Sequence, residues 1–401
     1  MSKNLAKDLL FATICALSFS AFIYLEHYAF DSKILYAILA LASTAMLLYM
    51  PKRAVLMSGF GIGLLWFYWI GYSFKYNGVG HLELFVALGF GLVYTLFFAP
   101  LYFTNKPHFR AVMLFLLSFF APMEFNWLVL ELGFASSYFG AQKWHYAIIL
   151  ASLSTPYLLK KWRFLPLLAL LFALDLSPKE ITPAPLKIEL VPMSVPQEQK
   201  WQRENLRSTL SFIYDKIEQS ISNDYDLVVF PESAIPLFLN ENPEILTALK
   251  SYSHAIAIVI GSLLREDGKH YNVSYKFENG SFEVAKKVVL VPFGEYIPLP
   301  SFLKKWVNEY FFAGASDFMP ASKPSEFNIK GVEFRPAICY EATTDVIYHD
   351  HPRFVLAMSN NAWFSPSIEP TLQRLLMQFY AKKYGVIIYH SANYKGTGVI
   401  E

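Results

Sequence analysis

From residue 9 to residue 176 the chain repeats one pattern. Apolar runs near the ~20 residues that a helix needs to cross hydrocarbon are ended by short charged or Pro/Gly-bearing turns. Seven runs fit: Leu9 to Leu25, Ile34 to Met50, Ala54 to Tyr72, Leu84 to Tyr102, Val112 to Leu132, Tyr146 to Leu159 and Phe164 to Leu176. They predict about seven transmembrane helices, with the two short last runs, split by Lys160, Lys161 and Arg163, also compatible with one hairpin. The pattern changes after Ser177 to Pro185, a stretch with three prolines that reads as a linker.

From Leu186 to Glu401 short β-rich runs alternate with amphipathic helical ones, the mark of a layered α/β domain. Strands are predicted at Leu186 to Val191, Asp226 to Phe230, Ala255 to Leu263, Asn272 to Phe277, Phe282 to Leu290, Phe334 to Cys339, Phe354 to Ser359 and Val386 to Ser391. Helices are predicted at Gln202 to Ile221, Glu241 to Ser251, Glu341 to His349 and Pro370 to Lys383. Between the fourth and fifth strands, Asn279-Gly280 predicts a tight hairpin, since both residues tolerate positive φ.

Charge separates the same two regions. Residues 1–176 carry 12 Lys/Arg and 7 Asp/Glu, whereas residues 177–401 carry 22 and 25. A formal net charge of +2 and 54% apolar residues exclude a nucleic-acid partner and a disordered chain. With the N-terminus inside, the cytoplasmic segments hold Lys3, Lys7, Lys52, Arg53, Lys106, Arg110, Lys160, Lys161 and Arg163, against Lys33, Lys75 and Lys143 outside. That asymmetry, with an odd number of spans, puts the second domain outside the cytoplasm. The first run lacks a small-x-small cleavage site and reads as an uncleaved anchor. Glu124 and Glu131, seven apart in the fifth run, fall on one helical face and read as interfacial residues, or as the lining of a polar entrance.

Cys15 and Cys339 are the only cysteines, one in each region, so no disulfide framework exists. Cys339 sits where a strand gives way to a helix, a position that aims N–H groups at a thiol and lowers its pKa, or else makes it a small buried hydrophobe. Glu232, in Pro231-Glu232-Ser233, ends an apolar strand as a general base or a helix cap. Lys287 lies near a strand that leads into Pro292-Phe293-Gly294-Glu295, beside the competing Lys286. His349-Asp350-His351 has no third ligand nearby, and no metal site is assigned.

Glu232, Lys287 and Cys339, with the flanks Pro-Glu-Ser, Lys-x-x-Leu-x-Pro-Phe-Gly-Glu and Cys-Tyr-Glu, resemble the Glu-Lys-Cys triad of the nitrilase (carbon-nitrogen hydrolase) superfamily. Lys287 is taken over Lys286 because the family lysine precedes that glutamate by eight positions. Such a domain behind a polytopic membrane region is similar to the apolipoprotein N-acyltransferases of bacterial envelopes. Further matches are Lys200-Trp201, Val291 to Leu299 and Ser359-Asn360-Asn361-Ala362-Trp363-Phe364.

The resemblance implies an extracytoplasmic nitrilase-like α-β-β-α sandwich in a multi-pass inner-membrane protein. It implies ping-pong acyl transfer, without cofactor, from a phosphatidylethanolamine-like phospholipid through a Cys339 thioester to the amine of diacylglyceryl-cysteine apolipoproteins. Glu295 would orient Lys287, and Tyr340 and Glu341 would shape the pocket, against plainer readings as a first-turn acid and a core tyrosine. Trp201 would contact lipid or close the pocket, or is a buried aromatic. The glycine-broken segment Trp306 to Phe318 reads as a loop that dips into the bilayer surface or packs on the core. Departures from the family pattern are Asn361 for aspartate, Ser365 for glycine, and Asn393-Tyr394-Lys395-Gly396 for Asn-Asn-Gly; the C-terminal end reads as truncated. A membrane-tethered amidase and an inactive membrane scaffold are the alternative functions.

Overall fold

The computed structural model describes residues 3–159, 161–176, 181–292, 294–296 and 318–401. Most of the segment Trp306 to Phe318 and part of the Val291 to Leu299 motif therefore lie outside the described residues. The chain forms two compact units, Met1–Lys179 and Glu180–Glu401.

Among the described residues of the first unit, three helical stretches are long and apolar enough to cross a membrane: Asn4–His27, Lys52–Tyr76 and Gly80–Phe103. The apolar helices Lys33–Tyr49 and Pro107–Leu117 are shorter. Gly59 and Gly63 let two of these helices touch, since a Cβ at either would stand 2.7 Å from the Tyr94 carbonyl or 2.5 Å from that of Phe90.

The run Val112 to Leu132 departs from expectation. Its helix stops at Leu117, and a turn at Pro122–Glu124 precedes irregular backbone. Hydropathy alone cannot see this stop, but Pro122 disfavours helix at the residue before it. Glu124 and Glu131 consequently share no helix face. Glu131 is buried within the protein and pairs with the Lys143 ammonium at 2.5 Å.

Arg110, counted above among loop cations, is fully buried. Its Nη1 donates to the carbonyls of Leu47, Leu48 and Met50, the last at 2.7 Å. Its Nε donates to Leu101 and Thr104. Carbonyls at a helix end have no partner within the helix, and one guanidinium serves two such ends here.

The second unit is built on two five-stranded sheets. The first takes β1 (Ile188–Leu190), β2 (Leu227–Val229), β3 (Ala257–Glu266), β4 (Lys269–Glu278) and β5 (Ser281–Lys286), in sequence order. The second contains β6 (Phe327–Ile329), β7 (Val332–Ile338), β8 (Phe354–Asn360), β9 (Ile387–Asn393) and β10 (Gly398–Ile400), also in sequence order. Strands β1 to β3 run parallel, as do β7 to β9; antiparallel β4 and β5 extend the first set beyond β3, and antiparallel β6 and β10 border the second on either side.

Side-chain alternation sets the layers. Leu227, Val229, Ala257 and Val259 meet Phe334, Ile338, Leu356 and Ile387 between the sheets. Val228, Phe230, Ile258 and Ile260 face the opposite way, onto Ile213 and Ile217 of the helix Arg203–Ser222 and Leu249 of the helix Pro243–Tyr252. The helix Glu369–Tyr384 buries Leu372, Leu376 and Met377 against the second sheet, completing an α-β-β-α sandwich. Asn279 and Gly280, at φ 52° and 75°, close the β4–β5 hairpin as their dipeptide signal predicts. The three-residue strands β6 and β10 are too short for the alternation that marks a strand. The predicted helix Glu341 to His349 is instead a 3-10 turn, Cys339–Thr343, followed by one short helix, Asp345–Tyr348.

Replacing Arg110 with Met leaves five carbonyls without their donor. The expected result is a loss of about 3–5 kcal/mol in the unfolding of detergent-purified protein.

Candidate active site

Three strand ends supply the site. Glu232 follows β2, Lys287 follows β5 directly, and Cys339 follows β7. Parallel strands gather their C-terminal ends at one edge of each sheet, so residues distant in sequence come together there. The backbone turns sharply at two of these points, with φ 47° at Ser233 and 55° at Cys339, left-handed values that non-glycine residues rarely adopt. Gly261 on β3 makes room for the first turn. A Cβ there would lie 2.6 Å from the Pro231 carbonyl oxygen and the Ser233 nitrogen, and 2.7 Å from Glu232 Cα.

Glu232 is buried and held on both oxygens. Asn272 Nδ2 donates to Oε1 at 2.8 Å, and the Asn360 backbone N–H donates to Oε2 at 2.9 Å. Lys287 Nζ stands 3.8 Å from Oε1. The Lys287 side chain is 1% exposed, and its second carboxylate, Glu295 Oε2, is 2.7 Å away. Burial alone would push this ammonium down, but Glu295 and then Glu232 overcome it and hold it above the ordinary lysine value. Asn272 Nδ2 also donates to Glu295 Oε1 at 3.0 Å, so one amide spaces both carboxylates around the cation.

Cys339 is half-buried and free. Burial pushes its thiol well above the usual value, Glu232 adds to that, and Lys287 opposes it. The expectation of a thiol lowered by a helix end is thus corrected, because no regular helix begins at Cys339 and the nearest carboxylates favour the proton. Gln373 Nε2 lies 3.8 Å from Sγ, within hydrogen-bond reach of sulfur.

Glu341 is not a solvated first-turn acid but a buried tie. Its Oε1 accepts from Val288 N–H at 3.2 Å and its Oε2 from Ile338 N–H at 2.9 Å. It thereby joins the residue after Lys287 to the residue before Cys339. Burial pushes its carboxyl from 4.5 up to about 8, against Lys287. Tyr340 is buried beside it. Trp201 is 46% exposed, which rules out the buried-aromatic reading. Its neighbour Lys200 is the buried residue of that pair, donating from Nζ to the Glu232 carbonyl at 2.9 Å, with burial holding its ammonium down to about 8.

Asn272, Lys200, Glu369 and Gln373 were not singled out as site residues by sequence. Asn272 and Gln373 are ordinary amides in a strand and a helix, and only their buried neighbours give them meaning. Glu369 is buried in the first turn of its helix, and among the described residues its Oε2 has no hydrogen-bond partner. Among the described residues no cluster of metal-ligating side chains occurs.

Gly261→Ala would force the Glu232 turn off β3, and the expected cost is about 1–3 kcal/mol of stability by denaturant unfolding. Glu341 makes a second prediction. Its folded value lies above its ordinary one, so its contribution is complete below about pH 4.5 and is lost as pH rises through about 8. Melting temperatures taken across that range fall with pH in the native chain and fall less in Glu341→Gln.

The model of the apolipoprotein N-acyltransferase integral membrane domain matches residues 6–176, and that of carbon-nitrogen hydrolase matches residues 194–394. The apolipoprotein N-acyltransferase of Wolinella succinogenes is 42% identical over 397 residues, covering 98% of this chain and 96% of its own. That of Helicobacter pylori is 39% identical over 373 residues, 90% of this chain and 86% of its own. The apolar helices and the sandwich are therefore the membrane and carbon-nitrogen hydrolase domains of one protein, and the chain belongs to the apolipoprotein N-acyltransferase family.

Proposed function

We propose that this chain transfers an acyl group from a phospholipid to the N-terminal amine of diacylglyceryl-cysteine lipoproteins, with Glu232, Lys287 and Cys339 as its catalytic residues. The reading rests on one observation above others, a buried carboxylate and a buried ammonium at strand ends that both act on one half-buried thiol. Family membership supplies the substrate class.

Because the resting thiol is held protonated, attack on the ester carbonyl requires a base at that moment. Glu232 takes the proton as the sulfur–carbon bond forms. Lys287 is charged throughout and faces the negative charge that develops on the carbonyl oxygen, where a dry site makes the attraction strong. The tetrahedral intermediate collapses by breaking the ester C–O bond. The departing alcohol oxygen of the lysophospholipid receives the proton back from Glu232. The acyl group is left on Cys339 as a thioester. The lipoprotein amine then attacks the thioester and loses its proton to Glu232; the C–S bond breaks, and sulfur recovers that proton. Glu295 and Asn272 hold Lys287 and Glu232 apart at 3.8 Å, so that the pair does not collapse into a closer ion pair.

The donor in this reading is a phosphatidylethanolamine-like lipid. The protein is a multi-pass inner-membrane protein with a cytoplasmic N-terminus and its catalytic domain on the periplasmic side, which the lysine and arginine distribution supports.

Incubating the purified protein with phospholipid and no acceptor tests the reading by intact mass. One acyl addition on Cys339 is expected, absent in Cys339→Ala, and discharged by a diacylglyceryl-cysteine peptide with formation of an amide. Release of free fatty acid without transfer to that peptide would identify a hydrolase and overturn the proposal.

A further inference from the structure

The helix Glu369–Tyr384 carries a group toward the nucleophile that the mechanism above does not use. Gln373, fully buried, points its side chain at Cys339, with Nε2 3.8 Å from Sγ. An amide can present oxygen or nitrogen to a neighbour, and the network decides which. Asn361 Nδ2 lies 2.8 Å from the Lys395 carbonyl oxygen and 3.2 Å from Gln373 Oε1. A backbone carbonyl only accepts, so the NH2 of Asn361 must face it. Both N–H bonds of Asn361 are then committed, one to Lys395 and one to Gln373. Gln373 must therefore turn its oxygen to Asn361, which leaves its own NH2 for the sulfur.

The same fixed carbonyl that orients Asn361 thus orients Gln373 at one remove. The anchor is itself restrained, because the next carbonyl, that of Gly396, is 2.9 Å from His390 Nδ1, while His390 Nε2 bonds Ser359 Oγ. Burial holds His390 down to about 4, so this support does not titrate near neutral pH.

We propose that Gln373 is a further catalytic residue, which donates an N–H to the Cys339 sulfur and stabilises its thiolate, and that Asn361 is the positioning residue that fixes the direction of that bond. A donor matters here because burial and Glu232 push the thiol up, and Lys287 opposes them only in part. A neutral amide supplies stabilisation without adding a cation that Glu232 would capture. Asn361 also acquires a reason. An aspartate at 361 offers only acceptors, so Gln373 would turn its NH2 to that carboxylate and its oxygen to the sulfur.

The proposal deepens the acyltransfer reading and rests on it for the word catalytic, but its test reads the thiol alone. The full-length protein, in the Cys15→Ala background, is alkylated with iodoacetamide across pH, and the adduct is assigned to Cys339 by peptide mapping. Gln373→Met, of similar shape and without a donor, is expected to raise the midpoint of alkylation by about one pH unit. Asn361→Asp is expected to raise it as well, although Gln373 is intact. Gln373→His, which restores an N–H, is expected to return the midpoint toward that of the parent. A Gln373→Met midpoint equal to the parent's overturns the donor role, and an unchanged Asn361→Asp overturns the directional relay. Melting curves of each variant separate these shifts from unfolding, since a misfolded site raises alkylation at every pH and is not rescued by histidine at 373. Failure of acyl transfer in a parent protein whose midpoint responds as stated would sink the acyltransfer reading and leave the relay standing.

Discussion

A cation buried between carboxylates organises the catalytic domain. Lys287 has given up water, and an ammonium in that position is tolerated only with close opposite charge and hydrogen bonds to the partners. Glu295 at 2.7 Å and Glu232 at 3.8 Å provide the charge, and Asn272 fixes both carboxylates from the far side. Every other part of the site follows from keeping this arrangement intact. Gly261 leaves room for the Glu232 turn, Asn360 N–H closes the second oxygen, and Glu341 ties the Lys287 strand end to the Cys339 strand end.

The chemistry of the thiol follows from the same constraint. Burial pushes the Cys339 thiol well above its usual value and Glu232 adds to that, while Lys287 opposes them only in part. Under the acyl-transfer proposal, such a site creates its nucleophile on demand rather than storing it. A stored thiolate is open to oxidation, whereas a protonated thiol is comparatively inert.

Much of this was legible in the chain. The strand ends at Glu232 and Cys339, and the short flanks around Lys287, carry their own punctuation in Pro231, Gly294 and the apolar runs of β2 and β7. The hairpin at Asn279-Gly280 was equally plain, because two positive-φ residues in succession admit few conformations. What sequence could not show was partnership. Glu341 reads as a helix-start acid until Val288 and Ile338 are seen to spend their N–H groups on it, at the head of what is a 3-10 turn and not a regular helix. Lys200 read only as half of the Lys200-Trp201 match, with no role of its own, until its ammonium met the Glu232 carbonyl. In the membrane unit, hydropathy measured Val112 to Leu132 correctly as apolar but carried no information about the turn at Pro122.

Glu341 touches backbone from both sheets, since Val288 continues β5 and Ile338 ends β7. Neither half of the sandwich can thus assemble this cluster alone: the first sheet carries the carboxylate of Glu232 and the ammonium of Lys287, the second carries the thiol of Cys339, and only the packing of one on the other makes a single site of them.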